Sequence, residues 1–172
     1  MSMLTVGIAE CQVSRDPESV IVTHALGSCI AVSIYDPVAR VGGLLHFMLP
    51  ESSLDREKAQ RRPFMFADTG IPALFNAAYA AGAEKKRLIV RVIGGAQVLD
   101  SQGVFNIGKR NYLACKKILW SAGVLIDAEE VGGSASRTVR LDLANGKVHW
   151  HGSADLDQEL VPKGAKACRS GF

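Results

Sequence analysis

The sequence predicts an α/β fold of the α+β type: packed, mixed or antiparallel β-sheets flanked by about two to three helices. Three observations carry this. β-Branched and aromatic runs crowd the first half of the chain, two segments of helical spacing follow, and Asn145-Gly146 marks a hairpin in the last third. With 172 residues and 48% hydrophobic content, a single domain over residues 1–152 can bury a substantial core. Residues 153–172 are set apart as a C-terminal tail, a position where disorder concentrates.

The elements follow in order. Met3–Ala9, Ser19–Thr23, Ile30–Tyr35 and Val41–Met48 read as strands, with Asp36-Pro37 as turn chemistry between the last two. Glu51–Phe66 is polar and basic and reads as a linker. Asp68-Thr69-Gly70-Ile71-Pro72 supplies an N-cap and an early proline; Leu74, Phe75, Ala78 and Tyr79 follow at helical spacing, and Gly82 ends the helix. Leu88–Ile93 is a strand running into Gly94-Gly95-Ala96. A second helix spans Lys109 to Ser121 and stops at Gly123, with Leu113, Ile118, Leu119 and Ala122 inward. Val124–Ala128 is the next strand. Asn145-Gly146 favours a two-residue type I′ turn, which pairs Leu141 with Trp150, Asp142 with His149 and Arg140 with His151. The two histidines then lie on a polar outer face, and no metal is assigned to them.

The chemistry centres on Cys29, in the short step Leu26-Gly27-Ser28-Cys29, and on His46 in the strand that returns after Asp36-Pro37. Pairing Tyr35 with Arg40 across a four-residue loop sets Cys29 opposite His46. Directly opposed residues share a sheet face with Cβ atoms roughly 4.5–5.5 Å apart. A thiol beside an imidazole is a minimal hydrolase: the imidazole accepts the thiol proton or holds the thiolate as an ion pair. Backbone N–H groups of Gly27, Ser28 or Cys29 are candidate oxyanion donors. A structural cysteine touching a core histidine stands as the alternative.

Rivals to this pair are few. Thr23, closing the preceding strand, could orient the His46 ring. His24 is nearer to Cys29 in sequence but does not face it, and Asp36 is explained by the turn. Cys115 reads as a small buried hydrophobe, and Cys11 and Cys168 have no histidine opposite them. The four cysteines lack paired spacing, which suits free thiols in a reducing cytoplasm. No apolar run approaches the ~20 residues of a membrane span, and the N-terminus has no secretory pattern. Net charge is +3, and basic residues cluster at 56–62, 85–87 and 109–117. Such clusters suit solvated faces or an acidic protein partner better than nucleic acid, whose recognition motifs are missing.

The chain resembles the chemoreceptor glutamine deamidase family, CheD. The resemblance rests on Leu26-Gly27-Ser28-Cys29, on Gly42-Gly43-Leu44-Leu45-His46-Phe47-Met48-Leu49-Pro50 and on Ile93-Gly94-Gly95-Ala96. It continues through Ile107-Gly108-Lys109-Arg110-Asn111, Val131-Gly132-Gly133 with Arg137, and Asn145-Gly146-Lys147-Val148. Glu130 departs from the family's usual Asp. The resemblance implies Cys29, His46 and Thr23 as catalytic residues, Gly27 and Ser28 as backbone oxyanion donors, and no cofactor or metal. It implies a fold like the catalytic domain of cytotoxic necrotizing factor toxins. It further implies a cytoplasmic enzyme that converts glutamines of methyl-accepting chemotaxis receptors to glutamates, without membrane insertion or nucleic-acid binding, and with CheC phosphatase as a partner. An adaptor that binds CheC and receptors, or a receptor methylesterase using the same thiol, are the alternative activities.

Overall fold

The computed structural model describes residues 1–98, 105–154 and 156–162. In chain order its elements are β1 (Ser2–Val6), β2 (Glu10–Ser14), β3 (Ser19–Leu26), β4 (Ile30–Asp36), β5 (Val41–Phe47), α1 (Arg56–Arg61), α2 (Ala67–Ala80), β6 (Ile89–Gly94), α3 (Ile107–Ser121), β7 (Ala128–Val131), β8 (Arg137–Asp142), β9 (Val148–His151) and β10 (Gln158–Glu159). Two mixed sheets result, ordered β1-β3-β8-β9-β10 and β2-β5-β4-β6-β7. The α+β class with three helices is therefore as the sequence predicts.

Strand alternation builds two core layers. Ile30, Val32 and Ile34 of β4, with Leu45 and Phe47 of β5, pack beneath α2 and α3. Ala31, Tyr35 and Leu44 face the other sheet, where Ile21, Val139, Leu141 and Val148 meet them, with Cys29 at the border. Both faces of β4 and β5 are buried, so these strands are apolar throughout rather than alternating.

Several expected boundaries move, each for a local reason. The run Met3–Ala9 is not one strand. It breaks at Gly7, whose N–H donates to Glu10 Oε2 at 2.8 Å, and Ala9 turns the chain at φ 60°. β1 then joins one sheet and β2 the other. The polar linker contains α1, capped by Asp55 accepting from Lys58 N–H. α2 starts at Ala67, so Asp68 is not its cap; the Asp68 carboxylate reaches back to Ser52 N–H and Oγ at 2.8 and 2.7 Å. The strand expected at 124–128 lies instead at Ala128–Val131, parallel to β6. In α3, Leu113 and Ala122 are exposed, and the inward stripe is Gly108, Asn111, Cys115 and Leu119.

Both hairpin registers differ from expectation by two residues, for the same physical cause. Asp36 accepts from the N–H groups of Val38 and Ala39, which keeps it as the last residue of β4 opposite Val41. Asp142 likewise accepts from Ala144 N–H, and Gly146 N–H closes onto the Asp142 carbonyl, making a four-residue loop rather than a type I′ turn. Only Gly146, at φ 72°, is left-handed there, and a Cβ on it would strike the Tyr35 ring. Leu141 thus pairs with Val148, Val139 with Trp150 and Arg140 with His149. Because the shift is two, every residue keeps its face. Arg140 rather than Asp142 stands across from His149, which removes the carboxylate considered beside that histidine.

Residues assigned to the C-terminal tail contribute β10, which pairs with β9, and Leu160, which is buried among the residues between the sheets. Arg140 pairs with Asp157, and Lys147 with Glu159.

Asp36 ties the site-bearing hairpin to the rest of the fold. It is fully buried and accepts from Val38, Ala39 and Glu84 N–H and from the Arg87 guanidinium, with Arg87 at 2.8 Å. Burial alone would raise its pKa; these donors outweigh burial and hold the carboxyl well below the usual carboxylate range. Asp36→Ala leaves three backbone donors unpaired and is expected to lower stability by about 2 kcal/mol or more in urea denaturation at neutral pH. In the wild type this contribution is present above the unfolded carboxylate pKa and lost as pH falls below it. The variant should therefore show a shallower loss of stability on acidification.

Candidate active site

Thr23 and His46 approach each other from opposite sheets, on β3 and β5. Thr23 Oγ1 donates to the Val6 carbonyl at 2.7 Å and lies 2.7 Å from His46 Nδ1. A threonine hydroxyl has one proton, and a carbonyl can only accept. With that proton given to Val6, the second contact requires His46 Nδ1–H to donate to Thr23 Oγ1. The Nε2 atom is then the bare acceptor. It is buried and makes no hydrogen bond among the described residues. The corner between β1 and β2 braces this arrangement from both ends: Val6 takes the threonine proton, and Ala9 N–H donates to the His46 carbonyl at 2.9 Å.

A bulge in β3 makes Thr23 available. Regular alternation would put Thr23 and Leu26 on opposite faces, yet Thr23 reaches His46 of the other sheet and Leu26 lies in the core between the sheets. The β3–β8 register slips between them, and Ala25 adopts φ 53°. His24 consequently faces solvent, so it is no rival base.

Cys29 sits just before β4. The observed register sets Ala31 opposite His46, not Cys29. Cys29 is therefore the next residue along the same face, a diagonal neighbour at a typical separation of roughly 7–8 Å between backbones. Three donors hold the carbonyls of its loop. Ala96 N–H reaches the Gly27 carbonyl at 2.9 Å, Asn111 Nδ2 the Ser28 carbonyl at 3.0 Å, and Gly95 N–H the Cys29 carbonyl at 2.9 Å. In a trans peptide the N–H points opposite its C=O. Fixing the Gly27 and Ser28 carbonyls thus aims the N–H groups of Ser28 and Cys29 the other way, and apart from the Cys29 thiol itself no described residue accepts from Gly27, Ser28 or Cys29 N–H. The loop can be held this tightly because Gly94 has φ 117°; a Cβ there would lie 2.3 Å from the Cys29 carbonyl oxygen. Arg137 supports this floor, donating to the carbonyls of Gly132 and Gly94 and pairing with Glu130 at 3.3 Å.

A cleft of about 370 Å³ opens over Cys29, walled by the 25–29 loop and by Val98, Phe105 and Ile107. Burial pushes the His46 pKa down from 6.5 to about 4. Burial also raises the Cys29 pKa, partly offset by its own backbone N–H. Both shifts favour the uncharged forms, thiol and imidazole. Cys11 and Cys115 are pushed up to about 12 by burial, so neither is activated. Cys168 lies outside the described residues.

Sequence reasoning placed Cys29, His46 and Thr23 but gave no part to Asn111 or Gly94. Both occur in motifs that carried the resemblance, yet a polar residue on the buried stripe of a helix has no signal in hydrophobic periodicity.

The model for the family described as "CheD chemotactic sensory transduction" matches residues 48–151. The chain is similar to the "Probable chemoreceptor glutamine deamidase CheD" of Solibacter usitatus, 52% identical over 162 residues, covering 94% of this chain and 95% of that one. It is also similar to "Probable chemoreceptor glutamine deamidase CheD 1" of Syntrophus aciditrophicus, 51% identical over 160 residues with 93% and 100% covered. The "Chemoreceptor glutamine deamidase CheD" of Thermotoga maritima is 41% identical over 143 residues, with 83% and 87% covered. Among solved structures, the hypothetical protein YfiH of Bacillus licheniformis is 13% identical at a TM-score of 0.44, over 72% of this chain and 49% of that one. By its family model and by relatives that match it nearly end to end, the chain belongs to the CheD family.

Proposed function

We propose that this protein is a glutamine deamidase of chemoreceptors, with Cys29 as nucleophile, His46 as general base and acid, and Thr23 as the residue that orients His46. The observation that carries the reading is the Thr23–His46 contact, which leaves an unprotonated, buried Nε2 on the sheet face that Cys29 continues, one diagonal position along. The names of the relatives supply the substrate class.

The steps we propose are these. Cys29 Sγ–H gives its proton to His46 Nε2 as sulfur attacks the side-chain carbonyl carbon of glutamine. The carbonyl π pair moves to oxygen, and the oxyanion is met by Ser28 and Cys29 N–H, a refinement of the Gly27–Ser28 expectation. The imidazolium still donates from Nδ1 to Thr23, and returns the Nε2 proton to the departing nitrogen, which leaves as ammonia. A thioester on Cys29 remains. Water then gives a proton to Nε2 while its oxygen attacks the thioester carbon, releasing glutamate and restoring the thiol. The reaction runs in the cytoplasm on the helical cytoplasmic part of receptors. The sequence resemblance also brings CheC phosphatase into the proposal as a partner.

Mass spectrometry of receptor peptides after incubation checks the nucleophile: wild type converts glutamine to glutamate and releases ammonia, and Cys29→Ala lowers both to background. Methanol release from methylated receptor in place of ammonia would turn the assignment to an esterase. Thr23→Val should reduce kcat by about 10²-fold, the scale of losing a positioned base, while Thr23→Ser retains most activity. The pH profile follows from a base whose pKa is depressed. His46 loses its acceptor only as pH falls through about 4, so kcat/KM should stay level from neutrality down toward that value. An acid limb centred near 6.5, the ordinary histidine value, would contradict the buried neutral base.

A further inference from the structure

Asn111 is fully buried on the inward stripe of α3. Its Nδ2 donates to two carbonyls from different parts of the site, Ser28 at 3.0 Å and Met48 at 2.9 Å. Ser28 precedes the cysteine; Met48 lies two residues after the histidine. Because both partners are acceptors, the amide nitrogen must face them and the side chain has a single sensible orientation. Its Oδ1 is buried with no hydrogen-bond partner among the described residues.

The site has a stability cost. An orphaned buried acceptor is unfavourable, and asparagine is a poorer helix former than the leucine that would suit a buried stripe. Local rules broken in this way mark functional positions more often than packing ones.

We infer that Asn111 is a positioning residue for the oxyanion site: by holding the Ser28 carbonyl it fixes the Ser28–Cys29 peptide plane, and with it the Cys29 N–H. The neighbouring carbonyls of Gly27 and Cys29 are held by backbone N–H groups that no side-chain change removes. The Ser28 carbonyl alone depends on a side chain. Its second bond, to Met48, sets that plane relative to the strand that carries His46. This inference rests on the reading of Cys29 as nucleophile.

Two small electrophiles separate the roles without any receptor. p-Nitrophenyl acetate acylates a thiol through a tetrahedral oxyanion: the S–C bond forms, the aryl C–O bond breaks, p-nitrophenolate leaves and the thiol proton passes to His46. Iodoacetamide alkylates by displacing iodide and develops no oxyanion. With the rates of Cys29→Ala subtracted, Asn111→Ala should acylate at least about tenfold more slowly than wild type. That is below the ~10²–10³ of deleting an oxyanion donor, because the N–H is loosened rather than removed. Its alkylation rate should stay within about twofold, and Asn111→Leu, which has a similar shape but cannot donate, should behave alike. Equal acylation in wild type and variants overturns the inference. So does an equal loss in both reactions, or a failure of both variants to fold by near-ultraviolet circular dichroism, since either makes Asn111 merely structural. If wild-type Cys29 does not acylate above the Cys29→Ala background, the nucleophile reading itself fails and this inference falls with it.

Discussion

The contact between Thr23 and His46 is the constraint on which the site depends. It joins the two sheets through β3 and β5, and with the Val6 contact it sets which imidazole nitrogen bears hydrogen. That outcome is set by a third party, the Val6 carbonyl, which takes the only proton Thr23 has. A neutral hydroxyl performs here the orienting task that a carboxylate performs in other triads. The difference has consequences. A carboxylate would stabilise the imidazolium and raise its pKa; a hydroxyl does not, and burial lowers the His46 pKa instead. His46 is thereby favoured in its uncharged form.

The rest of the structure serves this constraint. The bulge at Ala25 turns Thr23 inward while keeping Leu26 in the core. The β1–β2 corner grips both partners of the contact, through Val6 and Ala9. On the cysteine side, the glycine floor at Gly94 and Gly95, the Asn111 amide and Arg137 behind it hold the loop in one conformation. These elements form a junction between the two sheets, and the cleft above the cysteine loop is walled by Val98, Phe105 and Ile107.

Much of this was legible in the residues. β4 and β5 are read directly from their β-branched and apolar runs; Cys29 is not opposite His46 as expected, but a register error of two residues keeps both on one face. The error itself was physical: Asp36 and Asp142 each use a carboxylate to bind backbone N–H groups further along, and each thereby fixes its loop. Turn dipeptides alone do not report where such an aspartate will close the hairpin. α3 was misrotated for a related reason. Hydrophobicity favours Leu113 inward, but Gly108 packs against the Gly95 carbonyl and brings Asn111 and Cys115 to the core. A buried asparagine that serves the site cannot be found by a rule that looks for apolar residues. The β1–β2 break was missed because Gly7 and Ala9 interrupt an apolar run whose two halves belong to different sheets.

The central claim is that Thr23 holds His46 as the Nδ1–H tautomer, with Nε2 as a free base. Long-range ¹H–¹⁵N correlation spectra of ¹⁵N-histidine-labelled protein at neutral pH test it most directly. The account predicts a protonated, pyrrole-type Nδ1 and an unprotonated, pyridine-type Nε2 for His46, with the pattern lost in Thr23→Val. A His46 found as the Nε2–H tautomer, or as an imidazolium at neutral pH, would contradict it.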